Sequence, residues 1–351
     1  LETAIELVRA VVPPPGPEER QAALRLALRE ALSYGITSIH IMPGIRSTDG
    51  QETLADLQAL RGRDELSLRC LTHISAGDLD AAIALGLRSG LGDGLLRVGG
   101  LKLFADGSLG SESAEMLSHY EGRRHLGIAT IGREVLEKTV ARANASGISV
   151  IIHAIGDAAN RKVLDAIELA RGDGDPPALA MPNRIEHCQV LHPKDIGRFA
   201  ELGVIASMQP IHCTSDMATA DELWGARSAH AYAWRELLES GATLAFGSDA
   251  PVETMNPWPG VHAAVTRQRP DGHPEGGWYP DQRLTVDEAI AAYCVGPAIA
   301  SGEAGQKGRI APGMRADLAV LTGDPFRSAP GELHAITAAM TLIAGNVVFE
   351  R

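Results

Sequence analysis

The feature that most constrains the fold is a regular alternation of short apolar runs with amphipathic helical patterns. Most of the runs are rich in β-branched and aliphatic residues, and each is too short to form a stable helix. Several of them follow a helical pattern that ends at a glycine, a residue that readily terminates helices. Seven runs are therefore predicted as buried parallel strands, at residues 36–42, 66–72, 101–105, 148–153, 184–187, 204–208 and 242–246.

Short buried strands that alternate with helices define an α/β fold. We expect a (β/α)8 barrel, with one of its eight strands missing from the visible pattern. A doubly wound open sheet is the competing architecture. A nicotinamide oxidoreductase on such a sheet would need a GxGxxG motif after its first strand, and none is found. The glycine-rich segment 90–94 neither follows a strand nor opens a helix, so we interpret it as a turn.

The last fifty residues follow a different pattern. Two short strands joined by a Pro-Gly turn are predicted within residues 307–321, and a hairpin around Gly345 is predicted from 338–344 and 346–349. Such a small antiparallel unit is not stable alone, and the further strands that it needs are not recognisable in this chain. We therefore divide the chain into a barrel domain, 1–302, and part of a small β-sandwich domain, 303–351.

Composition excludes several classes of function. The chain has 44 acidic and 32 basic residues and a formal charge of −12, which argues against nucleic-acid binding. No apolar run approaches the length of a membrane helix, and no signal-peptide pattern is found. The four cysteines are scattered without a CxxC motif, so we expect a reducing, cytoplasmic location. We expect a small-molecule substrate, and a homo-oligomer remains open.

Polar residues at the strand ends identify a candidate site. Active sites of barrels lie at the carboxyl ends of the strands. Two predicted strands end in His153 and His187, and a third runs through Gly247 to Asp249. A single histidine at a strand end is more often structural, but three such residues on one edge favour a shared site. Imidazole and carboxylate together suit zinc or a similar divalent ion.

Lys102 lies within an otherwise apolar strand, Leu101–Ala105. An unpaired buried ammonium is costly, or its pKa shifts. Lys102 either pairs with a carboxylate such as Asp106 or Asp249, or it is neutral enough to react with carbon dioxide. The carbamate formed in that way would be an anion able to bridge two metal ions.

Five stretches, in chain order, resemble one family. The chain is similar to the metal-dependent amidohydrolase superfamily, in the branch of YtcJ-like and N-substituted formamide deformylase-like proteins. The resemblance implies a (β/α)8 barrel beside a small β-sandwich, and a metal-activated water that attacks a C–N or related bond. It rests on Leu101–Ser111, Ile152–Asp157, Arg184–His187, Phe246–Val252 and Gly308–Leu318.

The resemblance also implies roles for individual residues. Lys102 would be a carboxylated lysine that bridges two ions, and His153 and His187 would be metal ligands. Asp249 would bind metal and act as the catalytic base. One or two ions, which we expect to be zinc, would be held.

Four further residues are expected to orient ligands or contact the substrate. They are Asp106, Asp157, Arg184 and Ser248. For Asp157 and Arg184, an ordinary ion pair is an equally good interpretation. The aromatic residues Trp258, Trp278 and Tyr279 are candidates for an apolar substrate pocket or for local packing.

The chain departs from the family at one point. The first strand of the family carries a His-x-His pair that completes the metal site, and this sequence contains no His-x-His. His40 and His73 lie near the ends of the strands that would be the second and third, and neither matches that pair. We therefore expect strand one and the preceding half of the sandwich to be missing. An amidohydrolase-fold protein with impaired catalysis is the alternative function.

Overall fold

A computed structural model describes residues 11–44, 51–172 and 178–351. Its central feature is a curled sheet of seven parallel strands, ordered as they occur in the chain. The seven predicted strands are confirmed, with shifts of up to three residues at most ends and a start five residues earlier for the third strand. They are β1 (Ser38–Ile41), β2 (Arg69–Ile74), β3 (Leu96–Phe104), β4 (Val150–Ala154), β5 (Arg184–His187), β6 (Ile205–Met208) and β7 (Leu244–Phe246).

Helices follow most of the strands, so the fold is α/β as predicted. Within the described ranges, no helix has both the length and the apolar character needed to cross a membrane. The helices are α1 (Pro17–Ser33), α2 (Gln51–Gly62), α3 (Leu79–Ala84), α4 (Arg133–Ala145), α5 (Asp157–Arg171), α6 (Pro193–Leu202), α7 (Pro210–Trp224), α8 (Trp234–Glu239), α9 (Pro257–Thr266) and α10 (Val286–Ala300).

Strand β3 shows how the sequence sets the two faces of the sheet. Leu101 and Leu103 are buried in the main apolar core, whereas Lys102 and Phe104 line the interior cavity. This alternation is the ordinary consequence of strand geometry. Gly99 in the same strand leaves room for a neighbour, because a Cβ there would lie 2.0 Å from Nδ1 of His73.

Two apolar clusters hold the layers together. The larger one packs β3 to β7 against α4 to α10, with Ile152, Ile185 and Trp234 among its fully buried members. The smaller one joins α1 and α2 to the beginning of the sheet and to the C-terminal strands, through residues such as Leu28 and Ile343. Helix α1 therefore lies between the main sheet and the C-terminal part of the chain.

The C-terminal part forms a separate antiparallel sheet. Its strands are β8 (Leu318–Leu321), β9 (Ala338–Ile343) and β10 (Asn346–Glu350), in the order β10-β9-β8. The predicted hairpin around Gly345 is confirmed. The predicted strand before the Pro-Gly turn is wrong, because the positive φ angle at Gly308 bends that segment away from a strand. The domain boundary at residue 302 stays a prediction.

The main sheet is open on one side. Among the described residues, β1 pairs only with β2, and β7 pairs only with β6. The architecture is therefore that of a half-closed barrel with seven strands in barrel order.

A buried ion pair connects the two sheets. Nε and Nη2 of Arg69 at the start of β2 donate to the two carboxylate oxygens of Asp317, at 2.5 and 2.8 Å. Their side chains are only 8% and 3% exposed. Asp317 also accepts the backbone N–H of Ala344, which fixes the β9–β10 turn. The pair is bidentate and shielded from water. In such a pair the removal of one partner destabilises the folded protein most, because the other charge stays buried.

We predict that Asp317→Asn destabilises the protein by about 3 to 5 kcal/mol, because the Arg69 charge stays buried without its counter-ion. The free energy of unfolding from urea titration measures this cost. Glu134→Gln is the control, since Glu134 pairs with Lys138 on the exposed face of α4, and such pairs contribute little. Equal stability of the two variants would show that the buried pair does not hold the sheets together.

Candidate metal centre

A large cavity opens at the carboxyl ends of the strands. Its volume is about 1930 Å³, and it continues along the open side of the sheet between β1 and α10. Lys102, His153, His187 and Asp249 all line it, together with Ser248. The structure thus brings to one cavity all four residues that the resemblance assigns to metal binding.

Three side chains in this cavity form a compact group of donors. One ligand atom each from His187, His212 and Asp249 lies within 4.8 Å of the others. Nε2 of His212 is 3.4 Å from Oδ2 of Asp249. Ligands bound about 2.0–2.2 Å from one tetrahedral ion are separated by about 3.4 Å. Two imidazoles and a carboxylate therefore suit a zinc-like ion in both chemistry and spacing.

His187 is the last residue of β5 and has a φ of 76°. A left-handed conformation is uncommon for a residue other than glycine. Asp249, three residues after the end of β7, has a φ of 57°. Two of the three donors thus lie at unusual backbone positions at or just beyond the end of a strand.

The tautomer of His187 is set by a neighbour. Its Nδ1 lies 2.8 Å from Oε1 of Gln209, and because that oxygen can only accept, Nδ1 carries the hydrogen. The lone pair is then on Nε2. Burial holds the pKa of His187 well below its usual range, helped by the nearby His153 and Lys102. The ring is therefore neutral, the form that binds metals.

His212 was not found from the sequence. It lies in the first turn of α7, just beyond the end of β6, where the strand-end rule does not look. Its distance of four residues from the end of the predicted strand at Met208 was the available signal. Burial lowers its pKa, but Asp249 and the carboxylates of Asp216 and Glu253 offset this, so that the net pKa is raised.

The ring of His153 lies close to the His187–His212–Asp249 group but is not one of its three donors. Its Nε2 donates to the carbonyl oxygen of Gly107 at 2.8 Å and lies 3.5 Å from Oδ1 of Asp106. The ring packs edge-on against His187, with the ring centroids 4.6 Å apart. Burial lowers the pKa of His153 to about 4. The neutral ring therefore keeps Nδ1 as its acceptor nitrogen.

Lys102 is buried in the interior, with Nζ 4.6 Å from the centre of the Phe104 ring. Within the described part of the chain, no carboxylate lies at ion-pair distance from Nζ, so the expected pairing with Asp106 or Asp249 is absent. Burial lowers the pKa of Lys102 to about 8, against the opposing charges of Glu186 and Asp249. A substantial fraction of the amine is therefore neutral near that pH.

Asp106 and Asp157 fix the long loop after β3. Asp106 accepts backbone N–H groups from Glu115, Ile155 and Gly156 at 2.8–3.0 Å. Asp157, the first residue of α5, accepts the backbone N–H of Leu117 at 2.8 Å. Burial raises the pKa of Asp106 to about 7. Both carboxylates therefore hold the loop at the cavity mouth through its backbone.

Arg184 is buried deeper in the barrel, at the start of β5. Its guanidinium contacts Nδ1 of His40 at 2.8 Å and Nε2 of His73 at 3.1 Å. The counter-ion is Glu186, at 2.7 Å, and the ion pair with Asp157 considered from the sequence is absent. This polar layer accounts for His40 and His73 within the barrel interior.

The three aromatic residues considered from the sequence differ in role, since one lines the cavity and two serve local packing. Trp258 lines the cavity. Nε1 of Trp278 donates to Asp221 at 2.9 Å, and Tyr279 packs on Trp278, so these two serve local packing instead.

Known proteins place this arrangement in context. A model of the amidohydrolase family matches residues 1–349. YtcJ of Bacillus subtilis (strain 168), a protein named as an amidohydrolase, is 31% identical over 100% of this chain and 65% of its own length. The N-substituted formamide deformylase of Arthrobacter pascens is 30% identical over 73% of this chain and 46% of its own length.

Solved structures agree. A metal-dependent hydrolase from Pyrococcus horikoshii OT3 superposes with a TM-score of 0.80 and 28% identity, over 94% of this chain and 64% of that protein. A metal-dependent hydrolase from Pyrococcus furiosus gives a TM-score of 0.78 and 26% identity, over 93% of this chain and 64% of that one. The chain thus spans less than two thirds of the length of these relatives. The matched residues and the shared fold show that the chain belongs to the amidohydrolase family.

Proposed function

We propose that this chain provides the site of a metal-dependent hydrolase that cleaves a C–N bond in a small amide or formamide. The observation that carries the proposal is the group of donors from His187, His212 and Asp249 at the carboxyl ends of parallel strands. The relative from Arthrobacter pascens, which is named as a deformylase of N-substituted formamides, supports the choice of bond.

The donor chemistry fits a catalytic zinc ion. His187 Nε2, His212 Nε2 and a carboxylate oxygen of Asp249 would supply three ligands, the usual number when a fourth position stays open. His153 borders the same space through Nδ1 and is a further candidate ligand. When bound, the ion would polarise the scissile carbonyl and lower the pKa of a bound water towards 7.

Asp249 is placed to move the proton. Its side chain is 34% exposed to the cavity, whereas the two histidines beside it are more enclosed. In the proposed reaction Asp249 accepts a proton from the attacking water and returns it to the leaving nitrogen. Ser248 lines the cavity beside it and is expected to contact the substrate.

Lys102 supports a second version of the site, with two ions. Its neutral amine attacks carbon dioxide at carbon, forms a C–N bond and releases a proton, which leaves a carbamate anion. That anion would bridge an ion held by His153 and His187 to one held by Asp249. The low pKa and the lack of a carboxylate partner among the described residues favour this chemistry.

Impaired catalysis is the alternative. We propose that the open position between β7 and β1 corresponds to the missing first strand and its His-x-His pair. An ion on the Asp249 side would then keep few ligands in this chain, and a carbamate without two cations would be poorly compensated.

We predict that His212→Ala and Asp249→Asn each weaken zinc binding, because each removes one of three ligands. The zinc affinity from competition with a chelator measures this. Turnover of an N-substituted formamide should fall by about 10²–10⁴-fold in Asp249→Asn, which also loses its proton acceptor. His273→Ala is the control, because that imidazole is 77% exposed on the surface. Unchanged zinc affinity in His212→Ala would remove His212 from the site.

We predict that Lys102 gains the mass of one carbon dioxide in the metal-loaded protein. The neutral amine is the reactive form, so the adduct should increase as pH rises through the pKa of about 8. Native mass spectrometry in bicarbonate buffer measures it. Lys102→Met should lose the adduct, and Lys138→Met, which changes an exposed lysine, should keep it. An unmodified Lys102 would leave the single-ion site as the better description.

We predict that this chain binds zinc more weakly and turns over more slowly than the same chain extended through a strand with His-x-His. The added pair would complete the second set of ligands. Metal stoichiometry and turnover of the two chains, compared side by side, test this. Equal values would reject the alternative of impaired catalysis.

A further inference from the structure

Gln209 connects both histidine ligands of the candidate centre. It follows the last residue of β6 and precedes α7, and it is only 6% exposed. Its side-chain Oε1 accepts from Nδ1 of His187 at 2.8 Å. Its backbone carbonyl accepts the N–H of His212 at 3.1 Å. One residue therefore contacts the His187 imidazole through its side chain and the His212 main chain through its carbonyl.

The other end of the Gln209 amide has no such partner. Among the described residues, no acceptor is hydrogen-bonded to Nε2 of Gln209, although the side chain lines the cavity. Oε1 is the end of the amide that contacts Nδ1 of His187, so the two N–H groups point elsewhere. They are therefore available to donate to a ligand oxygen in the cavity.

We propose that Gln209 is a catalytic residue that donates a hydrogen bond from Nε2 to the carbonyl oxygen of the scissile acyl group. This inference rests on the proposed hydrolase function and adds a requirement on the substrate, a carbonyl oxygen next to the leaving nitrogen. The same side chain orients the His187 ring so that the Nε2 atom of His187 is free to bind metal. One amide would thus both orient a metal ligand and stabilise the oxyanion.

The proposed donor acts on charge that develops during the reaction. When water adds to the carbonyl carbon, the π electron pair moves to the oxygen, and the Gln209 N–H stabilises that negative charge. When the pair returns, the C–N bond breaks, and the nitrogen leaves with the proton that Asp249 took from water. The products are a carboxylic acid and an amine. Donors that are fixed before the reaction are worth most in such sites.

Two substitutions separate donation from positioning. Gln209→Glu keeps an oxygen for Nδ1 of His187 but loses the N–H donors, and Gln209→Met loses both without adding charge. We expect kcat to fall by about 10²–10³-fold in both variants, with a smaller change in KM. Zinc affinity should be kept in Gln209→Glu and reduced in Gln209→Met. Gln306→Glu is the matched control, since Gln306 is exposed and accepts from Arg315 through Oε1.

A second measurement does not depend on turnover. Nitrogen NMR of the metal-free protein should show His187 with its hydrogen on Nδ1 in wild type and Gln209→Glu. In Gln209→Met the hydrogen should shift to Nε2. The same tautomer in all three proteins would overturn the positioning by Gln209.

The kinetic outcomes are equally distinct. Wild-type kcat in Gln209→Glu would leave Gln209 as a positioning residue only, and wild-type kcat in Gln209→Met would remove it from the reaction. Either result overturns the proposal while Asp249→Asn remains inactive. If wild type and Asp249→Asn are equally inactive, the hydrolase function itself fails, and the tautomer measurement alone then decides the placement of Gln209.

Discussion

The candidate centre depends on the parallel pairing of β3 through β7 in chain order. This pairing brings the carboxyl ends of all five strands to one edge of the sheet, so residues far apart in the chain meet there. The strands alone do not finish the site. The backbone must turn sharply at His187 and Asp249, both of which have positive φ angles. Strand pairing thus sets the position of the candidate ligands, and the local backbone conformation sets their direction.

The strands and several residues of the candidate site could be predicted, because they follow from short sequence patterns. Apolar runs and the glycines before them located the strands, the strand-end rule located His153, His187 and Asp249, and the interruption of an apolar strand located Lys102. Gln209 directly follows a strand end and His212 lies four residues beyond it, and both were missed because the apolar periodicity of α7 says nothing about which side chain turns inward. The strand expected before the Pro-Gly turn is absent because the positive φ angle at Gly308 overrides the apolar pattern.

Several charged side chains are buried in the barrel interior, among them Lys102, Arg184 and Glu186. Arg184 is balanced by Glu186 and contacts two neutral histidines. Lys102 packs on the Phe104 ring, and no carboxylate of the described residues lies at ion-pair distance from its Nζ. The sequence shows that Lys102 interrupts an apolar strand, but it does not show which charges meet across the barrel. The two cations differ in their surroundings, because Arg184 has a carboxylate at ion-pair distance within the same strand and Lys102 does not.

Main-chain atoms carry many of the bonds that hold the loop between β3 and α4 to the barrel. Asp106 and Asp157 bind N–H groups that every residue except proline possesses, so these bonds do not depend on the side chains at the bonded positions. Leu109, Met116 and Tyr120 of the same loop add side-chain anchoring, because they are buried in the main core. Substitutions at Ser108, which lines the cavity, can therefore change the cavity wall while the bonds to Asp106 and Asp157 stay in place. The loop thus offers a way to vary the cavity of this scaffold without altering the strands beneath it.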